Sequence, residues 1–185
     1  MNAKPEDLRY RRDLWKLCIP GGGAAEIGVA EGNFAQDIMT WPCSFSTVYL
    51  VDRWRHVNIK GDSGQPQTWH DANLRRVKKR MMPFGALARI LQMDSGNAVG
   101  FVPDASLSFV NVDADHSYNG VSTDARIWWP KLLPGGVIAF HDYENPGYGV
   151  KKAVQEFAGA HKLRVYNLRE DKPEDAGAFL IKPTP

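Results

Sequence analysis

The sequence predicts an α/β fold, a mostly parallel sheet that closes in an antiparallel hairpin. Three observations carry this. Short apolar runs alternate with helical patterns along the 185 residues. A turn of small residues follows the first run and opens a helix. The last two runs, Leu163–Leu168 and Ala178–Lys182, are joined by a polar stretch (REDKPEDAG) without a helical apolar stripe. Parallel neighbours need a long crossover and antiparallel ones only a turn, so this last pair forms a hairpin.

Residues 1–20 read as a leading segment, with an amphipathic helix over 4–18 whose apolar positions are Leu8, Leu14, Trp15 and Leu17. The first strand is Ala24–Val29, entered through Gly21–Gly23. Strands two to four are Thr47–Asp52, Leu87–Met93 and Leu107–Asp113, and the fifth, Val137–His141, is launched by Pro134-Gly135-Gly136. Helical patterns cover Asn33–Thr40, Ala72–Met82, Gly120–Leu133 and Gly149–Ala160, and the third crossover, around Asp94–Gly100, is short. The stretch 53–71 is irregular and long for a compact domain, which makes it either a variable surface excursion or a candidate lid. No internal repeat or linker divides the chain, so 1–185 reads as one domain.

Composition narrows the function classes. The 23 basic and 21 acidic residues leave a net charge of +2, which gives no electrostatic reason to expect a nucleic-acid or membrane partner. Two cysteines are too few for a disulfide framework and read as thiols in a reducing compartment. The N-terminus is charged throughout, and no apolar run reaches the roughly 18–20 residues of a membrane span. The expected location is the cytoplasm.

Two constellations carry chemistry. The turn Glu26-Ile27-Gly28-Val29-Ala30-Glu31-Gly32 follows the first strand, where Gly28 permits the turn and Ala30 and Gly32 leave room for a ligand. Strand two ends in Asp52, 20 residues beyond Gly32, where nucleoside-binding folds place a ribose-binding acid. A pyrophosphate would be repelled by Glu26, whereas a cationic amino-acid cofactor would not. Strand four ends in Asp113-Ala114-Asp115-His116 and strand five in His141-Asp142. Adjacent parallel strands set their C-terminal ends side by side, so Asp113, Asp115, His116, His141 and Asp142 are expected in one pocket. Such a set can hold a divalent cation, or its members can simply hydrogen-bond one another.

The segments EIGVAEG, YLVDRW, SLSFVNVDADHSYNGVSTDARIWWPKLLPGGVIAFHDY and GVKKAVQEF resemble class I S-adenosylmethionine-dependent methyltransferases of the methyltransferase-domain-24 type. These are related to macrocin-like and caffeoyl-CoA/catechol O-methyltransferases. The resemblance implies a Rossmann-like seven-stranded sheet of order 3-2-1-4-5-7-6 with the last strand antiparallel, S-adenosylmethionine as donor and a small-molecule hydroxyl as acceptor. It implies that Glu26, Gly28, Ala30 and Gly32 hold the methionine end, Asp52 and Arg53 the ribose side, and Asp94 and Ser95 the adenine, with Asp113 and Asp115 completing the cofactor contacts. It further implies His116 as general base with His141 as the second catalytic histidine, and Asp113, His141 and Asp142 as ligands of a divalent cation. Position 141 is an acid in the metal-dependent relatives; histidine here shifts the expectation from Mg²⁺ toward Mn²⁺ or Zn²⁺ and leaves a metal-free enzyme open. The small substrate cap leaves a homo-oligomer open. An NAD-dependent oxidoreductase and a non-catalytic cofactor-binding module are the competing readings, and acceptor specificity is expected in 53–71 and 143–149.

Overall fold

The computed structural model describes residues 3–57, 64–169 and 176–185. Its centre is a seven-stranded sheet: β1 (Gly23–Ile27), β2 (Val48–Asp52), β3 (Ala88–Gln92), β4 (Leu107–Val112), β5 (Leu132–Phe140), β6 (Tyr166–Asn167) and β7 (Ala178–Ile181). The strand order is β3-β2-β1-β4-β5-β7-β6. β1 to β5 pair in parallel, and β7 runs antiparallel to both β5 and β6. This is the order expected from the sequence.

Both faces of β1, β2, β4 and β5 are covered, which is why these strands read as continuous apolar runs. Ala25, Ile27, Val51, Val110, Val112, Ile138 and Phe140 pack on one side under α4 (Tyr118–Trp128) and α5 (Val150–Ala160). Ala24, Val48, Leu50, Phe109, Ala139 and Phe179 pack on the other under α1 (Asn33–Thr40) and α2 (Gln67–Met81). The short crossover after β3 holds α3 (Ser95–Ala98). β5 begins at Leu132, earlier than the sequence suggested, because Pro134-Gly135-Gly136 sits inside it as a register shift between Leu107↔Leu132 and Phe109↔Val137.

The leading segment departs from the amphipathic α-helix expected over 4–18. It forms two 3₁₀ stretches, Pro5–Asp7 and Arg11–Leu17. Tyr10 between them bridges to Arg169, and the Arg169 N–H donates to the Arg9 carbonyl, so the chain is extended where a continuous helix would have to run. Leu8 and Leu14 still reach the core. Helix α2 begins at Gln67, within the stretch read as irregular; residues 58–63 of the expected lid lie outside the described residues. Cys18 is buried, Cys43 half-buried, and both are free thiols. Among the described residues, no helix is long and apolar enough to cross a membrane.

Candidate functional site

A groove follows the C-terminal edge of the sheet, where β1, β2 and β4 end. Strand β1 turns at Gly28, whose φ of 88° lies in the left-handed region. A Cβ there would sit 2.0 Å from the Asp113 carbonyl oxygen, so the turn and the end of β4 meet backbone to backbone. Gly32 also has a left-handed φ, 77°, but the atom it spares is Val77 Cγ2 of α2, so its smallness serves helix packing. Ala30 is left-handed as well, at 46°. Such a conformation in a residue with a Cβ persists only where the surroundings hold it.

Asp52 and Trp54 supply that hold. One Asp52 carboxylate oxygen accepts from the Val29 and Ala30 N–H groups at 3.0 and 2.8 Å, and the other accepts from the Trp54 N–H at 2.8 Å. The Trp54 indole, 1% exposed, donates to the Ala30 carbonyl at 2.9 Å. Sequence reasoning gave Trp54 no role; its only signal was a large aromatic two residues after the acid that ends β2.

Two cavities lie on either side of this turn. One of about 460 Å³ is lined by Arg53, Trp54, Gln92, Met93, Asp94 and Asn97, with Arg53 Nε 3.7 Å from Asp94 Oδ1. Asp94 is in the lining of this cavity and Ser95 is not. Its hydroxyl turns inward, donating to Asp124 at 2.5 Å and accepting from the Trp128 indole at 2.7 Å. The other cavity, about 300 Å³, is lined by Arg11, Glu26, Gly28, Phe34, Trp69 and Asp113 among others. Glu26 is 2% exposed, and its Oε2 has no hydrogen-bond partner among the described residues. Burial pushes its pKa well up, the Asp113 charge adds to this, and Arg11 opposes it.

Beside the second cavity the ends of β4 and β5 bring four side chains together. The register Val112↔Phe140 puts the residues that follow each strand next to one another. His116 Nε2 lies 3.0 Å from Asp142 Oδ2 and 3.4 Å from Asp113 Oδ1, and His141 Nδ1 lies 3.2 and 3.3 Å from the same two oxygens. All four donor atoms fall within 4.8 Å of one another. Tyr148 stacks on the His116 ring, with centroids 4.7 Å apart, and fixes its plane. Asp115 does not join them. It is exposed, and its carboxylate accepts from the Ser117 N–H at 2.8 Å at the start of α4, a local bond that holds it away from the cluster.

The four groups polarise one another. Burial alone would raise the Asp113 pKa, but bonds to His116 and His141 and the charges of His141 and Arg11 hold it down at about 2. Asp142 is likewise lowered: the same two histidines outweigh burial. For His116 and His141, burial works downward, and hydrogen bonds to Asp113 and Asp142 override it, giving about 9 for each.

Asp124, beneath the first cavity, is raised to about 6 by burial, with the Ser95 bond opposing and the Asp115 charge assisting. Its ionised form is penalised only in the folded state, so the penalty is absent below the ordinary aspartate pKa and complete above about 6. Asp124→Asn is expected to stabilise the fold by about 2 kcal/mol at pH 8 and by nothing measurable at pH 4. Urea unfolding at the two pH values checks this; an equal gain at both would exclude the buried charge as its source.

Residues 25–143 match the family model of a methyltransferase domain. A curated relative from Sinorhizobium fredii (strain NBRC 101917 / NGR234), "Uncharacterized protein y4gI", is 30% identical over 112 residues, covering 60% of this chain. The chain spans 12% of that relative's length. Among solved structures, a Corynebacterium glutamicum protein superposes with a TM-score of 0.71 at 15% identity, covering 94% of this chain and 80% of its own. The O-methyltransferase NovP gives 0.67 at 16% identity, over 94% and 80%. SMU.1697c from Streptococcus mutans, solved in complex with SAH, gives 0.67 at 15% identity, over 98% and 99%. At these identities the structural likeness concerns the fold.

Proposed function

The chain belongs to the methyltransferase-domain family, and from that premise we propose that it methylates a hydroxyl oxygen of a small-molecule acceptor. It is an S-adenosylmethionine-dependent methyltransferase. The observation that carries the finer reading is the meeting of Asp113, His116, His141 and Asp142 beside a groove that ends at an unpartnered Glu26 oxygen.

The groove suits the donor. Glu26, buried with an acceptor oxygen to spare, fits the ammonium of a methionine end, and Asp52, fixed by three N–H groups, fits a ribose. The cavity at Arg53, Asp94 and Asn97 takes the adenine side. The donor set of the four-residue cluster also suits a divalent cation: two imidazoles beside two carboxylates favour Mn²⁺, Fe²⁺ or Zn²⁺ over Mg²⁺. Asp113, His141 and Asp142 would hold it. Bound there, a cation supplies Lewis acidity that lowers the pKa of an acceptor hydroxyl.

The chain's own residues then have two tasks. The walls of the groove align donor and acceptor, which is the main contribution to an in-line displacement that breaks a carbon–sulfur bond and forms a carbon–oxygen bond. In its neutral form His116 takes the acceptor's proton, and Tyr148 stacks on the ring and holds its plane. One observation favours a second reading of His116: its Nε2 faces the same two carboxylate oxygens as His141 Nδ1, so it also qualifies as a fourth cation ligand.

Calorimetric titration with S-adenosylhomocysteine, in EDTA and then with Mn²⁺, Zn²⁺ or Mg²⁺ and a catechol probe, tests the proposal. Saturable binding, with cation-dependent methylation of the probe when S-adenosylmethionine replaces S-adenosylhomocysteine, supports it. Binding of the cofactor with no cation response in any assay would remove cation assistance. In the same titration, Asp52→Ala is expected to weaken S-adenosylhomocysteine by about 30- to 100-fold, since an ionised hydrogen-bond partner is lost. His116→Ala is expected to leave that affinity within about twofold. Equal losses in the two variants would overturn both role assignments.

A further inference from the structure

Arg11 comes from the N-terminal segment, outside the matched family region, yet it enters the groove beside Glu26. We propose that Arg11 recognises the carboxylate of the cofactor's amino-acid end, making the segment Arg11–Leu17 a built part of the cofactor site. The inference rests on the S-adenosylmethionine reading given above.

Three observations support it. First, the guanidinium is fixed in place: it lies over the Phe34 ring at 3.9 Å from the centroid, and its NH1 donates to Asp113 Oδ2 at 3.0 Å. Its backbone is anchored on both sides, by the Tyr10–Arg169 bridge and by Leu14 in the core. A planar fork held in this way loses little freedom on meeting a carboxylate, which it matches in shape.

Second, buried polar groups of β1 and β4 lack partners among the described residues. Glu26 Oε2 has no partner, and neither amide atom of Asn111 has one. Asn111 is the register partner of Glu26 in β4, so both lie on the same face of the sheet, and both are buried. Buried polar atoms in this number are normally satisfied by a ligand or by ordered water.

Third, the charges complement a zwitterion. An α-amino acid carries an ammonium and a carboxylate on one carbon, and Glu26 and Arg11 present the opposite charges in one small cavity. Burial and the Asp113 charge raise the Glu26 pKa while Arg11 counters them, so an incoming ammonium would further favour the ionised carboxylate.

The test compares two ligands that share the nucleoside and differ at this end. S-adenosylhomocysteine carries the amino acid, and 5′-methylthioadenosine lacks it. Wild type is expected to bind the first far more tightly. Arg11→Met is expected to weaken S-adenosylhomocysteine about 50-fold while leaving 5′-methylthioadenosine within about twofold, and Arg11→Lys to fall between. Equal weakening of both ligands by Arg11→Met would show a structural role and overturn the proposal, as would no change in either. If Arg11→Met fails to fold, wild type is titrated with decarboxylated S-adenosylhomocysteine. Affinity equal to that of the parent compound overturns the proposal, and a loss of about 50-fold supports it. Failure of wild type to bind S-adenosylhomocysteine at all would instead overturn the cofactor reading itself.

Discussion

An Asp142→Asn variant is expected to bind Mn²⁺ at least about a hundredfold more weakly than wild type and to lose cation-dependent methylation of a catechol probe with it. Asp142 Oδ2 lies within 3.2 Å of both histidines, so its charge is half of what organises the cluster. Its φ of 54° is left-handed, a conformation that asparagine tolerates better than other residues do, so the substitution removes charge without straining the turn. Mn²⁺ titration followed by electron paramagnetic resonance reads the loss directly; unchanged affinity would sink the proposed cation site. His116→Ala in the same assay separates the two roles open to that residue. As general base, its loss leaves Mn²⁺ affinity within about threefold and lowers turnover by about 10²- to 10⁴-fold. As fourth ligand, its loss weakens Mn²⁺ as Asp142→Asn does.

Gly28→Ala has the second large effect, and it falls on the fold and both halves of the site together. The new Cβ would meet the Asp113 carbonyl oxygen at 2.0 Å, and backbone rather than a flexible side chain must give way. The left-handed φ of 88° adds a conformational cost. Together these should destabilise the protein by about 4 kcal/mol, lowering the melting temperature by roughly 10 °C. Since Asp113 N–H donates to the Ile27 carbonyl at 2.7 Å, displacement of the turn also displaces Asp113. S-adenosylhomocysteine and Mn²⁺ binding should both fall in this variant. A melting temperature within 2–3 °C of wild type, about 1 kcal/mol or less, would show that the turn relaxes freely.

The parts of the molecule that could be read from sequence are those where local chemistry and long-range placement agree. Apolar runs with glycine or proline at their ends gave the strands, because strands buried on both faces have no other way to look. The meeting of Asp113 and His116 with His141 and Asp142 could be anticipated because parallel strands end side by side, whatever the loops do. Asp115 shows the limit of that rule: between Asp113 and His116, which both join the cluster, its carboxylate is held away by a local hydrogen bond from the Ser117 N–H. That the Ser95 hydroxyl turns inward was illegible for a similar reason, since its partners Asp124 and Trp128 lie about 30 residues away in sequence. Arg11 and Trp54 were invisible for a different reason. Each acts through a tertiary contact, Arg11 across 102 residues to Asp113 and Trp54 across 24 to Ala30. No periodicity or spacing encodes such pairs. The leading segment was misread because its apolar spacing suits an α-helix, while the Tyr10–Arg169 bridge imposes an extended break.

The position of β7 bears on how the protein is made. It is the last strand along the chain, yet it lies between β5 and β6, with Phe179 and Leu180 wholly buried. While the polypeptide is still being synthesised, the edge of β5 stays open, its N–H and C=O groups and the apolar residues Ile138 and Phe140 awaiting a partner. Such an edge is a template for pairing with other chains. Until β7 has been made and has docked, that edge of β5 is a place where the nascent chain is open to aggregation, and β7 is the stopper that closes it.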